Sequence, residues 1–333
     1  MAKSYKPTEY MYSSARLRSL ESKILGREEI SRFADADGAE NILPSLTEHG
    51  FELVRNSLGE ILREDTLMSA LEQGFDEILD MKCVDAVRFL QYQYDCNNIK
   101  AIIKCNARGI SPDGMLLPFG SVSIEAAKDA FLNKNYSVFP SAMAKVIVEA
   151  EEAFAATANP QKVDFTIDRA CFADMLQSAE ESGIELAKKL VVCKIDLTNI
   201  MQTLRLMRMG LKESAAPIAQ EVYIEGGSLE KRCFVDAIAD KDGFSQTLFG
   251  SNYYPIAQML DDNASLGDIE KKADNIYLDM AKKAKSVPFG AEVAIGYIFA
   301  LEYEIKNIRI ILAGKEAGLS SDVIRERLRD CYV

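Results

Sequence analysis

Apolar residues recur three and four positions apart through much of the chain, most clearly near its end. There Leu301, Ile305, Ile308 and Leu312 share one helical face, while Glu302, Lys306 and Arg309 fall elsewhere. This spacing predicts an amphipathic helix with one face toward a core. The stretch "YQYDCNNIKAIIKC" at Tyr92–Cys105 is another such helix, but it carries Asp95 and Asn98 among its apolar residues. Polar residues in that setting are either surface positions or deliberate polar features beside a core.

The same pattern returns twice. "IDLTNIMQTLRLMRMG" begins at Ile195 and "YEIKNIRIILAGKEAG" at Tyr303, so that Asp95 and Asn98 align with Asp196 and Asn199 and with Glu304 and Asn307. The asparagines stand 101 (199 − 98) and 108 (307 − 199) positions apart, each close to the size of a small domain. A second mark keeps the same order. Ser13 in "YSSARLRSLESKIL", Ser123 in "SVSIEAAKDAF" and Ser228 in "GGSLEKRCFVDAI" precede their asparagines by 85, 76 and 79 positions, and each is expected to be the N-cap of an amphipathic helix. The implied organisation is three similar helical units, residues 1–115, 116–220 and 221–333, each ending in the helix that bears the asparagine.

An acid and an asparagine three positions apart lie on one helix face. Buried there, both need partners, and exposed backbone at a neighbouring helix end is the natural one. Recurrence in every unit suits a shared fold better than a single reactive site. Asp95, Asn98, Asp196, Asn199, Glu304 and Asn307 are therefore expected to be repeated structural positions.

Composition supports an all-α reading: no tryptophan, few glycines and prolines, and many Ala, Leu, Lys and Glu residues. Of the 333 residues 48% are hydrophobic and 27% charged, as in a folded globular protein. The formal charge of −12 repels phosphate backbones and anionic lipid, which argues against nucleic acid and favours a basic protein partner. Seven scattered cysteines without a Cys-x-x-Cys pair suggest reduced thiols of a cytosolic protein. The apolar run "VAIGYIFAL" at Val293–Leu301 is far shorter than the roughly 20 residues that cross a bilayer, and the N-terminal residues do not resemble a signal segment.

Candidate chemistry fails position by position. His49 is the single histidine, so mechanisms needing two histidines and His/Cys zinc sites are excluded. In "ILAGKEAG" at Ile311–Gly318 the residue after the Gly-Lys pair is Glu316, and Arg309 stands where a phosphate-binding loop has its first glycine; Gly314 is expected to mark a break near a helix end. "FADADGAE" at Phe33–Glu40 and "IADKDGFS" at Ile238–Ser245 resemble calcium loops. Their first ligand positions are Phe33 and Ile238 and their twelfth Pro44 and Phe249, so helix-ending turns are the better reading. Asp261 and Asp262 in "QMLDDNAS" lack the third carboxylate of an aspartate-rich diphosphate site. No catalytic residue, cofactor or metal site is expected.

The last third of the chain is more specific. "SVPFGAEVAIGYIFALEYEIKNIRIILAGKEAGLSSDVIRERLRDCYV", Ser286–Val333, contains "PFG" at Pro288–Gly290, a Glu-x-Glu-x-x-Asn-x-Arg-x-Ile run at Glu302–Ile311 and "IRERLR". With the opening "YSSARLRSLESKIL" and the threefold echo, it resembles the C subunit of prokaryotic V-type (A/V-type) ATPases, the relative of the eukaryotic d subunit, over essentially the whole chain. The resemblance implies three helical domains in pseudo-threefold order forming a funnel. That funnel would be a non-catalytic rotor part between the D and F subunits of the central shaft and the membrane proteolipid ring, peripheral on the cytoplasmic face and without bilayer insertion. A helical adaptor of an unrelated cytosolic complex is the main alternative, and an all-α enzyme built on carboxylates a third.

Overall fold

A computed structural model describes residues 6–81, 83–209, 215–237 and 240–333. Gly210, the last residue of the second echo, with residues 211–214 after it, and Ile238 and Ala239 of the second Asp-rich turn lie outside the described residues. The fold is all-α. In chain order the helices are α1 (Met11–Glu21), α2 (Arg27–Asp35), α3 (Ala39–Leu46), α4 (Arg63–Asp80), α5 (Val84–Arg108), α6 (Ile124–Leu132), α7 (Ser141–Thr157) and α8 (Pro160–Ser182). They continue with α9 (Glu185–Arg208), α10 (Ala215–Val222), α11 (Lys231–Asp236), α12 (Lys241–Phe249), α13 (Tyr254–Asp261), α14 (Leu266–Ala281), α15 (Ala291–Glu316) and α16 (Ser321–Arg327). Among the described residues the only β pairing is one antiparallel bridge, Arg55 with Ile61.

The chain divides into two compact units. One comprises Arg88–Ile269, and the other combines the described part of Tyr5–Val87 with Glu270–Val333. In the second unit α1, α2, α3 and α4 all pack on α15. That explains a departure from the one-sided pattern. From Val293 through Leu301 every residue of α15 is buried, and only beyond it do exposed positions such as Arg309 return. A helix apolar all round is a core helix when neighbours surround it, and α15 has them. In the first unit α7, α8 and α9 form consecutive packed hairpins. The turns between them use left-handed residues, Ala158 after α7 and Gly183 after α8.

Several local expectations change in three dimensions. Ser123 is the N-cap of α6, its Oγ accepting the Ala126 N–H. Ser13 instead lies inside α1 and donates to the Tyr10 carbonyl at 3.1 Å, while Ser228 precedes α11 and donates to Asp196. A serine scores well at both kinds of position because its hydroxyl bonds nearby backbone or a tertiary acceptor equally readily. Gly314 does not break α15. It is buried within the helix, where a Cβ would come within 2.7 Å of Ile324 Cγ1, and the left-handed residue that follows the helix is Gly318. Asp240 begins a helix rather than ending one, its Oδ1 accepting the Gly243 N–H at the start of α12.

Candidate functional site: three acid–asparagine clamps

The paired residues sit on the three helices that carry the echo: Asp95 and Asn98 on α5, Asp196 and Asn199 on α9, Glu304 and Asn307 on α15. All six are buried. Each asparagine makes the same two-pronged contact with the backbone of one residue further along the chain. Asn98 Nδ2 donates to the Leu117 carbonyl at 2.8 Å and its Oδ1 accepts the Leu117 N–H at 2.8 Å. Asn199 does so with Ile224 at 2.8 and 2.9 Å, and Asn307 with Arg329 at 3.1 and 2.8 Å. A carboxamide presents one donor face and one acceptor face in a plane, as a peptide unit does, so it satisfies both polar groups of a residue that has left its helix. Aspartate lacks the donor and leucine lacks both, which is why the position is asparagine.

The acids hold a second segment. Asp95 accepts the Ser121 N–H at 3.0 Å, the Ser121 hydroxyl at 2.6 Å and the Val122 N–H at 3.1 Å. Asp196 accepts the equivalent set from Ser228, with its N–H at 2.9 Å and hydroxyl at 2.5 Å, and from the Leu229 N–H at 3.2 Å. The Tyr253 hydroxyl adds a further bond to Asp196 at 2.8 Å. Gly120 and Gly227, which precede the two serines, lie so close to the carboxylates that a Cβ would collide with Asp95 Oδ1 and Asp196 Oδ1. Glu304 reaches backward instead, its Oε1 accepting the Leu25 N–H in the α1–α2 turn at 2.7 Å.

These environments leave their mark on proton affinity. Burial pushes Asp95 up to about 6, opposed by the bonds from Ser121 and Val122. Burial pushes Glu304 up to about 8, because one backbone bond from Leu25 offsets less of the penalty and Glu29 adds like-charge repulsion. Beside Glu304 lies a cavity of about 240 Å³ whose wall includes Lys23, His49, Gln73, Glu77 and Tyr297. His49 lines the same cavity as Glu304, from a short 3-10 turn before Gly50. Among the described residues no cluster of three or more His, Cys, Asp or Glu side chains is arranged to hold a metal ion.

Sequence reasoning anticipated backbone partners for the acids and asparagines but did not identify the segments they hold. The readable signal was the Gly-Ser step, Gly120-Ser121 and Gly227-Ser228, where a missing Cβ and a hydroxyl occur together. It also missed a tie between two motifs read separately. Gly290 of "PFG" donates its N–H to Ser14 Oγ at 3.0 Å, and Arg18 Nη2 donates to the Ala284 and Val287 carbonyls at 2.6 and 3.0 Å.

The fold and these clamps define an all-helical protein whose recurring buried polar residues fasten chain segments to long helices. Its relatives say where such a body belongs. The chain is a member of the ATP synthase (C/AC39) subunit family, whose profile matches residues 13–327. It is 23% identical over 297 residues to the C subunit of the V-type sodium ATPase of Enterococcus hirae, covering 83% of this chain and 90% of that one. It is 24% identical over 344 residues to the C subunit of the A-type ATP synthase of Methanocaldococcus jannaschii, covering 96% and 86%. The relative in Methanosarcina mazei, again the C subunit of an A-type ATP synthase, is 25% identical over 344 residues, covering 96% and 93%. The family is thus one of rotary ATPase subunits, and no helix among the described residues is long and apolar enough to cross a membrane.

Proposed function

We propose that this chain is a non-catalytic part of the central stalk, a socket that couples the D and F subunits of the central shaft to the membrane proteolipid ring during ATP-driven ion transport or ATP synthesis. The observation that carries the reading is the match to the C/AC39 family across residues 13–327. The three clamps add physical sense to it. A torque-bearing part needs stiffness rather than a reactive group, and buried hydrogen bonds from long helices to loop backbone supply stiffness.

On this reading the acid–asparagine pairs are equivalent structural positions of three helical units, residues 1–115, 116–220 and 221–333, in pseudo-threefold order around a funnel. Each acid then holds the opening of the next unit. Asp95 takes Ser121, Asp196 takes Ser228, and Glu304 returns to Leu25 of the first. The socket would sit on the cytoplasmic face, peripheral to the membrane, with the net charge of −12 favouring a basic shaft tip.

Co-expression with the shaft proteins and the ring, followed by affinity purification in mild detergent, tests the assignment. Recovery of one complex containing shaft, ring and this chain is expected. Recovery of an assembled shaft and ring without this chain would overturn it, and a stable complex with other proteins alone would turn the reading to a helical adaptor.

A further inference from the structure

The three clamps are not equally satisfied. Among the described residues Asp95 is reached by two backbone N–H groups and a hydroxyl, and Asp196 by two N–H groups, a serine hydroxyl and a tyrosine hydroxyl. Glu304, also buried, is reached among the described residues by the Leu25 N–H alone. Its second oxygen has no hydrogen-bond donor among the described residues, and its side chain forms part of the cavity wall. A buried carboxylate is kept ionised by donors, and one with a single donor holds its proton to higher pH than one with several.

We propose that Glu304 is a proton-operated latch, which fastens the α1–α2 turn to α15 while neutral and releases that turn as the solution becomes more alkaline. The surrounding groups favour this behaviour. Glu29 on α2 repels the charged form, and its own carboxylate is engaged with the Gly26 N–H at 2.7 Å. Glu77 on α4 lines the same cavity and is paired with Arg16 of α1 at 2.5 Å. From α15 itself comes Tyr297, whose phenol feels both Glu77 and Glu304. Cys331 near the C-terminal end lies within electrostatic reach of Glu304 and Arg27. The cationic or neutral bases on the cavity wall are exposed Lys23, with no carboxylate bonded to it among the described residues, and His49. The cavity also provides room to hydrate the carboxylate once the turn lifts.

Linkage sets the size of the response. With Glu304 near 8 in the closed state and at the ordinary glutamate value of 4.5 in the open one, the opening equilibrium grows with pH up to about 8 and then levels off. Between pH 6 and pH 8 it should rise roughly 50-fold. Hydrogen–deuterium exchange on the full chain, corrected for intrinsic base catalysis, reads this at Leu25 and its neighbours. The loops at Ser121–Val122 and Ser228–Leu229, held by acids with more donors, are internal controls: the first should change by no more than about twofold over that range, and neither should follow Leu25. Glu304→Gln, which cannot ionise, should abolish the rise at Leu25. The proposal is overturned if the three loops change in parallel, if Leu25 shows no rise in the unmodified chain, or if the rise persists in Glu304→Gln. The comparison among loops within the unmodified chain stands even where that variant does not fold.

Discussion

Replacing Asn199 by alanine removes both prongs of a clamp whose partner, Ile224, is as deeply buried as the asparagine itself. The lost bonds are the 2.8 Å donation to the Ile224 carbonyl and the 2.9 Å acceptance of its N–H. Both backbone groups are left without a partner and out of reach of solvent. Each orphaned group costs about 1–3 kcal/mol, so Asn199→Ala should destabilise the chain by roughly 2–6 kcal/mol. Asn307→Ala removes an equivalent pair from Arg329, which is only half-buried, so solvent can take over part of the bonding. Its cost should be smaller, about 1–3 kcal/mol. Asn199→Asp keeps the shape but turns the donor face into an acceptor pointed at the Ile224 carbonyl, and should be at least as damaging as alanine. Differential scanning calorimetry and urea unfolding of the three variants measure this series. An Asn199→Ala variant within about 0.5 kcal/mol of the parent, or one less affected than Asn307→Ala, would refute the backbone-clamp account.

Other outcomes follow from the same geometry. Because folding raises Glu304 from the ordinary 4.5 to about 8, the folded chain keeps a proton that the unfolded chain releases; stability is full below pH 4.5 and is lost as pH rises through about 8. Glu304→Gln should flatten that part of a stability–pH profile, whose full height is about 5 kcal/mol, and an unchanged profile would count against burial of the acid. Gly227→Ala places a methyl group against Asp196 Oδ1 and should cost about 1–3 kcal/mol by thermal melting, whereas Gly109→Ala, with open space around it, carries only the strain of its positive φ. Binding of the purified chain to the shaft proteins should weaken steadily between about 50 mM and 500 mM salt in calorimetric titrations; affinity independent of salt would remove charge as its origin.

The acid–asparagine pairs were legible because a helix leaves a local trace. Residues three apart share a face, and the echo of Asp95 and Asn98 at Asp196 and Asn199 shows in the letters alone. All-α content was legible for the same reason. The serines were read less well: Ser13, Ser123 and Ser228 look alike in sequence, but one donates to its own helix, one caps a helix and one binds a distant carboxylate. Polar side chains advertise that they will bond, not with what.

Periodicity, composition and the repeated spacing were thus enough to mark the all-α class, the three echo helices and the six polar positions on them, since those properties belong to short stretches of chain. Partner choice was not readable in that way. Leu25 and Glu304 are 279 positions apart, and Ser14 and Gly290 are 276 apart. No local pattern joins them; they meet because packing α1 through α4 around α15 brings their backbone and side chains within bonding distance. The donor count around each acid is likewise set by tertiary structure, and with it the difference between two carboxylates held by several donors and one held by a single N–H among the described residues.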